Sequence, residues 1–141
     1  AALAEHLGCA FATPENAPRD ADVVVHVSAS AAGLATAIEA AGDEATVVEA
    51  SWHGADPTSV PLGGAFHSRR LKLVSSQVGA LPPSRRPRWD YARRMRKAMD
   101  LLCDPTLDML ISGETAFEEL PQHYGAILSD PATLCPRVHY H

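Results

Sequence analysis

Asp22-Val-Val-Val-His-Val27 and Thr46-Val-Val-Glu-Ala50 are the two stretches of sequence that decide the fold. Each is rich in β-branched residues, and the first is apolar on both faces, as a strand inside a parallel sheet must be. Between them, Ser30 can cap a helix that ends at Gly42 and whose apolar residues recur at helical spacing. Strand, helix and strand within about 30 residues form a βαβ unit. The sequence therefore predicts an α/β fold, a partial doubly wound (Rossmann-like) parallel sheet with flanking helices.

The rest of the chain supplies further elements by the same patterns. We expect strands at 9–12, 71–78, 107–111 and 135–140, and a short helix within 60–68. An amphipathic helix is predicted at 89–103, and the end of a helix at 1–8, stopped by Gly8. Thr115-Ala-Phe-Glu118 matches a capping box and predicts a helix that continues to Leu128.

Composition excludes several classes of protein. The 141 residues fit one domain, and 46% hydrophobic with 21% charged residues is ordinary globular usage. A net charge of −5 disfavours nucleic-acid binding, although seven of the 12 basic residues lie within 85–97 and leave RNA binding as an alternative to a solvated helix face. The sequence shows no 18-residue apolar run and no signal peptide, and its three cysteines are widely spaced. We therefore expect a cytoplasmic protein with reduced thiols, outside the membrane.

Small polar residues follow three of the predicted strands. They are Ser28-Ala-Ser30, Ser51-Trp-His53 and Ser75-Ser-Gln77. Ligands bind at the carboxyl ends of strands in doubly wound sheets, so these segments are candidates for a binding edge. The alternative is ordinary loop chemistry, since serine is common after strands.

Other motifs of catalysis are missing or weak. The sequence has no GxGxxG, GxSxG, Walker or HExxH motif. Cys135, His139 and His141 have spacings that suit a metal, but a surface strand explains them better and no metal site is predicted. His26 lies within a strand and is expected to be a core histidine, whereas His53 follows a strand and is the best single candidate for acid–base chemistry.

The segments in their order resemble the carboxyl-terminal part of the zinc-type, medium-chain alcohol dehydrogenase superfamily over residues 22–140. The run 22–30 is similar to the strand that ends in a Ser-Gly-Asn-type turn, and 45–54 to the next strand with its glycine-containing exit. Residues 68–79 are similar to the last strand of the nucleotide-binding sheet. The segments 107–112, 117–128 and 136–140 are similar to the closing elements of the family.

The resemblance implies an NAD- or NADP-dependent oxidoreductase acting on a small alcohol or carbonyl substrate, as a homo-oligomer. Residues 1–104 would be the second half of a nucleotide-binding domain, and 105–141 a strand-helix-strand segment that returns to a catalytic domain outside this chain. Any zinc would lie in that domain, so this chain would hold no catalytic residue and be inactive alone. The alternative is a non-enzymatic α/β binding or interaction module.

The resemblance also implies where the cofactor lies. Val27 and Ser28 would lie beside the nicotinamide half, with Ala50, Ser51 and Trp52 along the same edge. Ser75, Ser76 and Gln77 would lie near the carboxamide, and Arg137 would reach the pyrophosphate. The chain departs from the family in Ser51, where glycine is common, in the bulk of Trp52, and in its Ser-Ala-Ser turn.

A final expectation concerns unpaired strands. In the family's strand order, strand 22–27 pairs with a strand that lies before this chain, which would leave a long apolar edge. Strands 107–111 and 136–140 would also lack their partners. We therefore expect the chain either to self-associate through these edges or to rearrange.

Overall fold

A computed structural model describes residues 1–55 and 57–140 of the chain. They divide into two compact units, one formed by Ala10–Pro82 and the other by Ala1–Cys9 with the described chain from Pro83 onward. The elements are, in order, α1 (Ala2–His6), β1 (Ala21–His26), α2 (Ala31–Ala40), β2 (Ala41–Glu49), α3 (Gly64–Ser68), β3 (Lys72–Ser75), α4 (Tyr91–Leu101), β4 (Ile111–Ala116), α5 (Leu120–Ser129) and β5 (Cys135–His139). Short 3-10 helices span Pro14–Asn16, Pro105–Leu110 and Phe117–Glu119.

The unit Ala10–Pro82 is built on a parallel sheet in the order β1-β2-β3. Val24, Val47 and Leu73 are register partners and form one row across the three strands. This row packs with α2 and α3 in a single core, whose largest fully buried side chains are Ile38 and Val47. Burying an aliphatic side chain of this size contributes roughly 1.5–3 kcal/mol, so this core holds the helices on the sheet.

Helix α2 is fixed at both ends. The Ser30 side chain caps its start by accepting a hydrogen bond from the Gly33 N–H, as the sequence predicts. At its end, the Arg69 guanidinium donates to the main-chain oxygens of Glu39 (3.1 Å) and Ala41 (2.7 Å), carbonyls near the end of the helix. The main-chain oxygen of Arg69 in turn accepts a 2.7 Å hydrogen bond from the Glu44 N–H in β2.

The second face of the sheet is uncovered. Val23, Val25 and Val74 are exposed, and Val27, which follows β1, is 71% exposed. The expectation that strand 22–27 is buried on both faces is therefore wrong for this chain. Its alternate residues Val24 and His26 face the core, while the valines between them contact solvent.

The second unit contains a two-stranded parallel sheet. Strand β4 pairs with β5, and α5 packs beside β4. The closing segment 136–140, which was expected to lack a partner, lies largely within β5 and therefore does have one, the strand β4. The expected strand 107–111 is wrong, because Pro105 begins a 3-10 helix in which the Asp104 carboxylate accepts from the Thr106 N–H.

Two other sequence expectations are corrected. Residues 9–12 form no strand. The capping box at Thr115 is not formed, because Thr115 pairs with Val138 inside the parallel sheet and α5 begins only at Leu120. Strand pairing satisfies the Thr115 main chain, which therefore does not serve as a helix cap. None of the helices in the described residues is both long and apolar enough to cross a membrane.

Candidate functional site

The three strands of the larger sheet end at one edge. His26, Glu49 and Ser75 are the last residues of β1, β2 and β3, and they are register partners. The polar segments that follow the strands therefore emerge side by side, as the sequence predicts for a parallel sheet.

A cleft of about 570 Å³ lies where β2 and β3 end. It is lined by Glu49, Ala50, Ser51, Trp52, Ser75, Ser76, Gln77 and Val78. Six of the nine residues implied to contact the cofactor are in this lining. The Trp52 ring is 86% exposed, and the amide oxygen of Gln77 accepts a hydrogen bond from the Gly79 N–H, which leaves its amide NH₂ as the group that can donate to a ligand.

Two more of the implied residues, Val27 and Ser28, follow β1 at the same edge. The turn after them is joined to the β2 exit, because the Ala29 N–H donates to the Ser51 hydroxyl at 3.0 Å. Ala29 has a φ of 50°, a left-handed conformation uncommon for alanine. The Ser-Ala-Ser turn is thus held in place by Ser51.

Arg137 lies on β5 in the other unit, where its guanidinium pairs with the Glu114 carboxylate. Cys135 and His139 lie on the same strand, while His141 is outside the described residues.

Beside the cleft, His26, Glu49 and His53 form a cluster that the sequence did not predict as a unit. Glu49 Oε2 lies 2.6 Å from His26 Nδ1 and 3.3 Å from His53 Nε2. His26 Nε2 lies 2.7 Å from the Ser28 hydroxyl, and Glu49 Oε1 accepts a 2.7 Å hydrogen bond from the Ser51 N–H. His26 is buried, as expected for a core histidine, and its two ring nitrogens are both in contact with polar groups.

The cluster keeps the Glu49 carboxylate ionised. Burial raises its pKa, but the hydrogen bonds from His26 and Ser51 and the neighbouring His53 imidazole outweigh burial and lower the pKa to about 2. A negative charge is therefore fixed at the carboxyl edge of the sheet, between two imidazoles and beside the cleft.

Sequence reasoning treated His26 and His53 separately and missed Glu49. The signal was present, since His26 and Glu49 each directly follow a run of valines and corresponding positions of neighbouring parallel strands lie together. The contact between His26 and Glu49 depends on the register between β1 and β2, and a single sequence does not predict that register.

Comparison with known proteins supports the fold. No family model matches this chain, and no curated protein matches it in sequence. A solved structure from Thermotoga maritima, of a protein provisionally assigned as an alcohol dehydrogenase, is similar with a TM-score of 0.56 and 23% identity. The similarity covers 84% of this chain and 29% of the other, so this chain spans less than a third of that protein's length. At this identity the similarity establishes the fold, and it confirms the predicted partial doubly wound α/β class.

Proposed function

We propose that this chain is a carboxyl-terminal piece of a zinc-type dehydrogenase, in which residues 1–104 are the second half of the nucleotide-binding domain and 105–141 return to a catalytic domain. The enzyme transfers hydride between NAD or NADP and a small alcohol or carbonyl substrate, and the cleft at the ends of β2 and β3 receives the nicotinamide half of the cofactor. The observation that carries the proposal is that six residues implied by the resemblance line one cleft at the carboxyl edge of a parallel sheet.

The lining of the cleft suits a nicotinamide ring. The Trp52 ring and Val78 offer apolar surface, and the Gln77 amide and the serine hydroxyls offer hydrogen bonds for a carboxamide. When bound, the nicotinamide supplies the hydride chemistry, while this chain positions the ring. The residues of this chain bind and orient the nicotinamide ring. The groups that act on the alcohol oxygen belong to the catalytic domain outside this chain.

The proposal predicts which half of the cofactor this chain contacts. In saturation-transfer NMR with NAD⁺ or NADP⁺, the nicotinamide protons should receive saturation from the protein and the adenine protons should not. Nicotinamide mononucleotide should then compete for the cleft, and AMP should have no effect. Contact through adenine alone, or no contact with either cofactor, would contradict the proposal and favour the non-enzymatic binding module.

The two tryptophans of the chain provide a matched test of the cleft itself. Trp52 lines the cleft, whereas Trp89 lies beneath the Arg93 guanidinium at 4.6 Å, just before α4. With reduced cofactor bound, tryptophan excitation should sensitise nicotinamide emission. Trp52→Phe should reduce this transfer more strongly than Trp89→Phe does, while the reverse pattern would contradict binding at the cleft.

A further inference from the structure

The cluster of His26, Glu49 and His53 has the composition and convergence of a metal site. Each residue offers one ligand atom, and the three atoms lie within 4.8 Å of one another. We propose that this cluster binds one divalent transition-metal ion of the zinc class. The proposal uses residues of this chain alone and does not depend on cofactor binding.

The strands hold the ligands at nearly the required spacing. Zinc binds imidazole nitrogen and carboxylate oxygen at about 2.0–2.2 Å, so tetrahedral ligand atoms stand about 3.3 Å apart. The distance from His53 Nε2 to Glu49 Oε2 is 3.3 Å, and that from His26 Nδ1 to the same oxygen is 2.6 Å. The pair of His26 Nδ1 and Glu49 Oε2 would have to open by about 0.7 Å, which a small rotation of the Glu49 carboxylate provides. The imidazole nitrogens of His26 and His53 lie within 4.8 Å of each other.

The outer contacts of the cluster orient its ligands. With the metal bound, the Ser28 hydroxyl, which lies at His26 Nε2, would accept the Nε2 proton and leave the Nδ1 lone pair for the ion. The Ser51 N–H holds Glu49 Oε1, so Oε2 is the oxygen presented to both imidazoles. Metal-binding histidines and carboxylates are commonly fixed by partners of this kind.

His53 supplies an independent observation. Its Nε2 atom is buried, and among the described residues none makes a hydrogen bond to it. The 3.3 Å approach to Glu49 Oε2 has the length of an ion pair but not the geometry of a hydrogen bond. A buried polar atom without a hydrogen-bond partner needs a reason, and a metal ion between His53 and Glu49 would satisfy it.

The donor set selects the class of metal. Two imidazoles and one carboxylate suit Zn²⁺, Co²⁺ or Ni²⁺, whereas Ca²⁺ and Mg²⁺ prefer sites made of oxygen ligands. Three protein ligands leave a fourth position for water or another small ligand, as in zinc sites that carry out chemistry.

The test is metal binding by the whole chain after treatment with a chelator. We expect one equivalent of Zn²⁺ in equilibrium dialysis. Bound Co²⁺ should show the intense visible bands of tetrahedral coordination without a thiolate charge-transfer band. The absence of a thiolate charge-transfer band would show that the ion is not bound by Cys9, Cys103 or Cys135, which are exposed and could bind metal nonspecifically.

Variants then assign the site. His53→Gln should weaken binding by about 100-fold or more, and Ser28→Ala, which removes only an outer contact, by about 10-fold. His67→Gln, which changes an exposed histidine in α3, should bind as the parent chain does. Circular dichroism checks that each variant keeps its fold.

Two results would overturn the proposal. The first is a chain that binds neither ion, or that binds Co²⁺ through thiolates. The second is a folded His53→Gln variant with unchanged affinity. In either case the cluster is a hydrogen-bonded structural network, and the cofactor proposal above is unaffected.

Discussion

At the scale of single residues, Glu49 has the most unusual environment in the chain. Its carboxylate ends β2, lines the cleft and contacts two imidazoles. Because His26, His53 and Ser51 contact the Glu49 carboxylate, its negative charge contributes to the stability of the fold, and this contribution depends on pH.

The pKa of Glu49 lies at about 2 in the folded chain and at 4.5 ordinarily. Because the folded value is lower, the stabilisation is complete above pH 4.5 and is lost as the pH falls toward 2. The shift corresponds to about 3 kcal/mol. In urea titrations of the metal-free chain with a chelator present, Glu49→Gln should remove this component of the pH dependence.

Glu44→Gln is the matched control for this measurement. Glu44 also lies in β2, but it is exposed and pairs with Arg70 at the surface, where ion pairs contribute little. This variant should keep the acid dependence of the parent chain. If Glu49→Gln and the parent lose stability in parallel between pH 4.5 and pH 2, the network does not hold the charge as described.

At the scale of elements, the position of α2 depends on a glycine. A Cβ at Gly33 would lie 2.2 Å from the Ser28 hydroxyl oxygen and 2.8 Å from His26 Nε2. The serine hydroxyl can rotate away, but the imidazole is held by Glu49. Only glycine lets the first turn of α2 approach the histidine so closely.

Gly33→Ala should therefore destabilise the chain by about 1–3 kcal/mol through overpacking, although alanine is the better helix former. Gly125→Ala in α5 is the control, because nothing in the described structure lies within 4 Å of the added atom. That change should stabilise the chain by about 0.5–1 kcal/mol. The changes that the two substitutions cause in the free energy of unfolding, measured in urea, should have opposite signs. If Gly33→Ala stabilises the chain as much as Gly125→Ala does, α2 has room to move.

The elements also show what the sequence can and cannot predict. The valine run and the Ser30 cap define β1 and α2, because both signals are local. The helix cap predicted at Thr115 is wrong because the pairing of this residue with β5 outweighs the capping motif. The strand predicted at 107–111 is wrong because β4 begins only at Ile111. For the site, local sequence located the strand ends, but the contacts of Glu49 needed the register between strands.

At the scale of the whole molecule, much surface remains uncovered. The chain of 15.0 kDa exposes 10734 Å². A compact protein of this mass exposes about 7000 Å², and two separate compact chains of half the mass expose about 8500 Å² together. Part of the exposed area beyond these values is apolar. It includes the valine face of β1 and exposed side chains such as Met95 and Met99 on α4.

We expect the chain to self-associate through β1, which pairs only with β2 among the described strands and carries an exposed valine face. Val25→Lys should weaken association in sedimentation by about tenfold, since burial of one valine contributes roughly 1.5–3 kcal/mol. Leu62→Lys, which changes an equally exposed apolar residue outside the sheet, should leave it unchanged. A monodisperse monomer at all concentrations would contradict this prediction.

Arg69, which follows α3 and binds the carbonyls at the end of α2, affects how this unit of the chain unfolds locally. One residue ties together the last carbonyls of α2, the main chain of β2 at Glu44 and the exit of α3. Fraying of the helix from its carboxyl end therefore breaks hydrogen bonds of the same residue whose main chain contacts the strand beneath the helix. We expect the helix whose first turn approaches His26 and the strand that carries Glu49 to open together as one cooperative unit, so that a local opening separates His26 from Glu49.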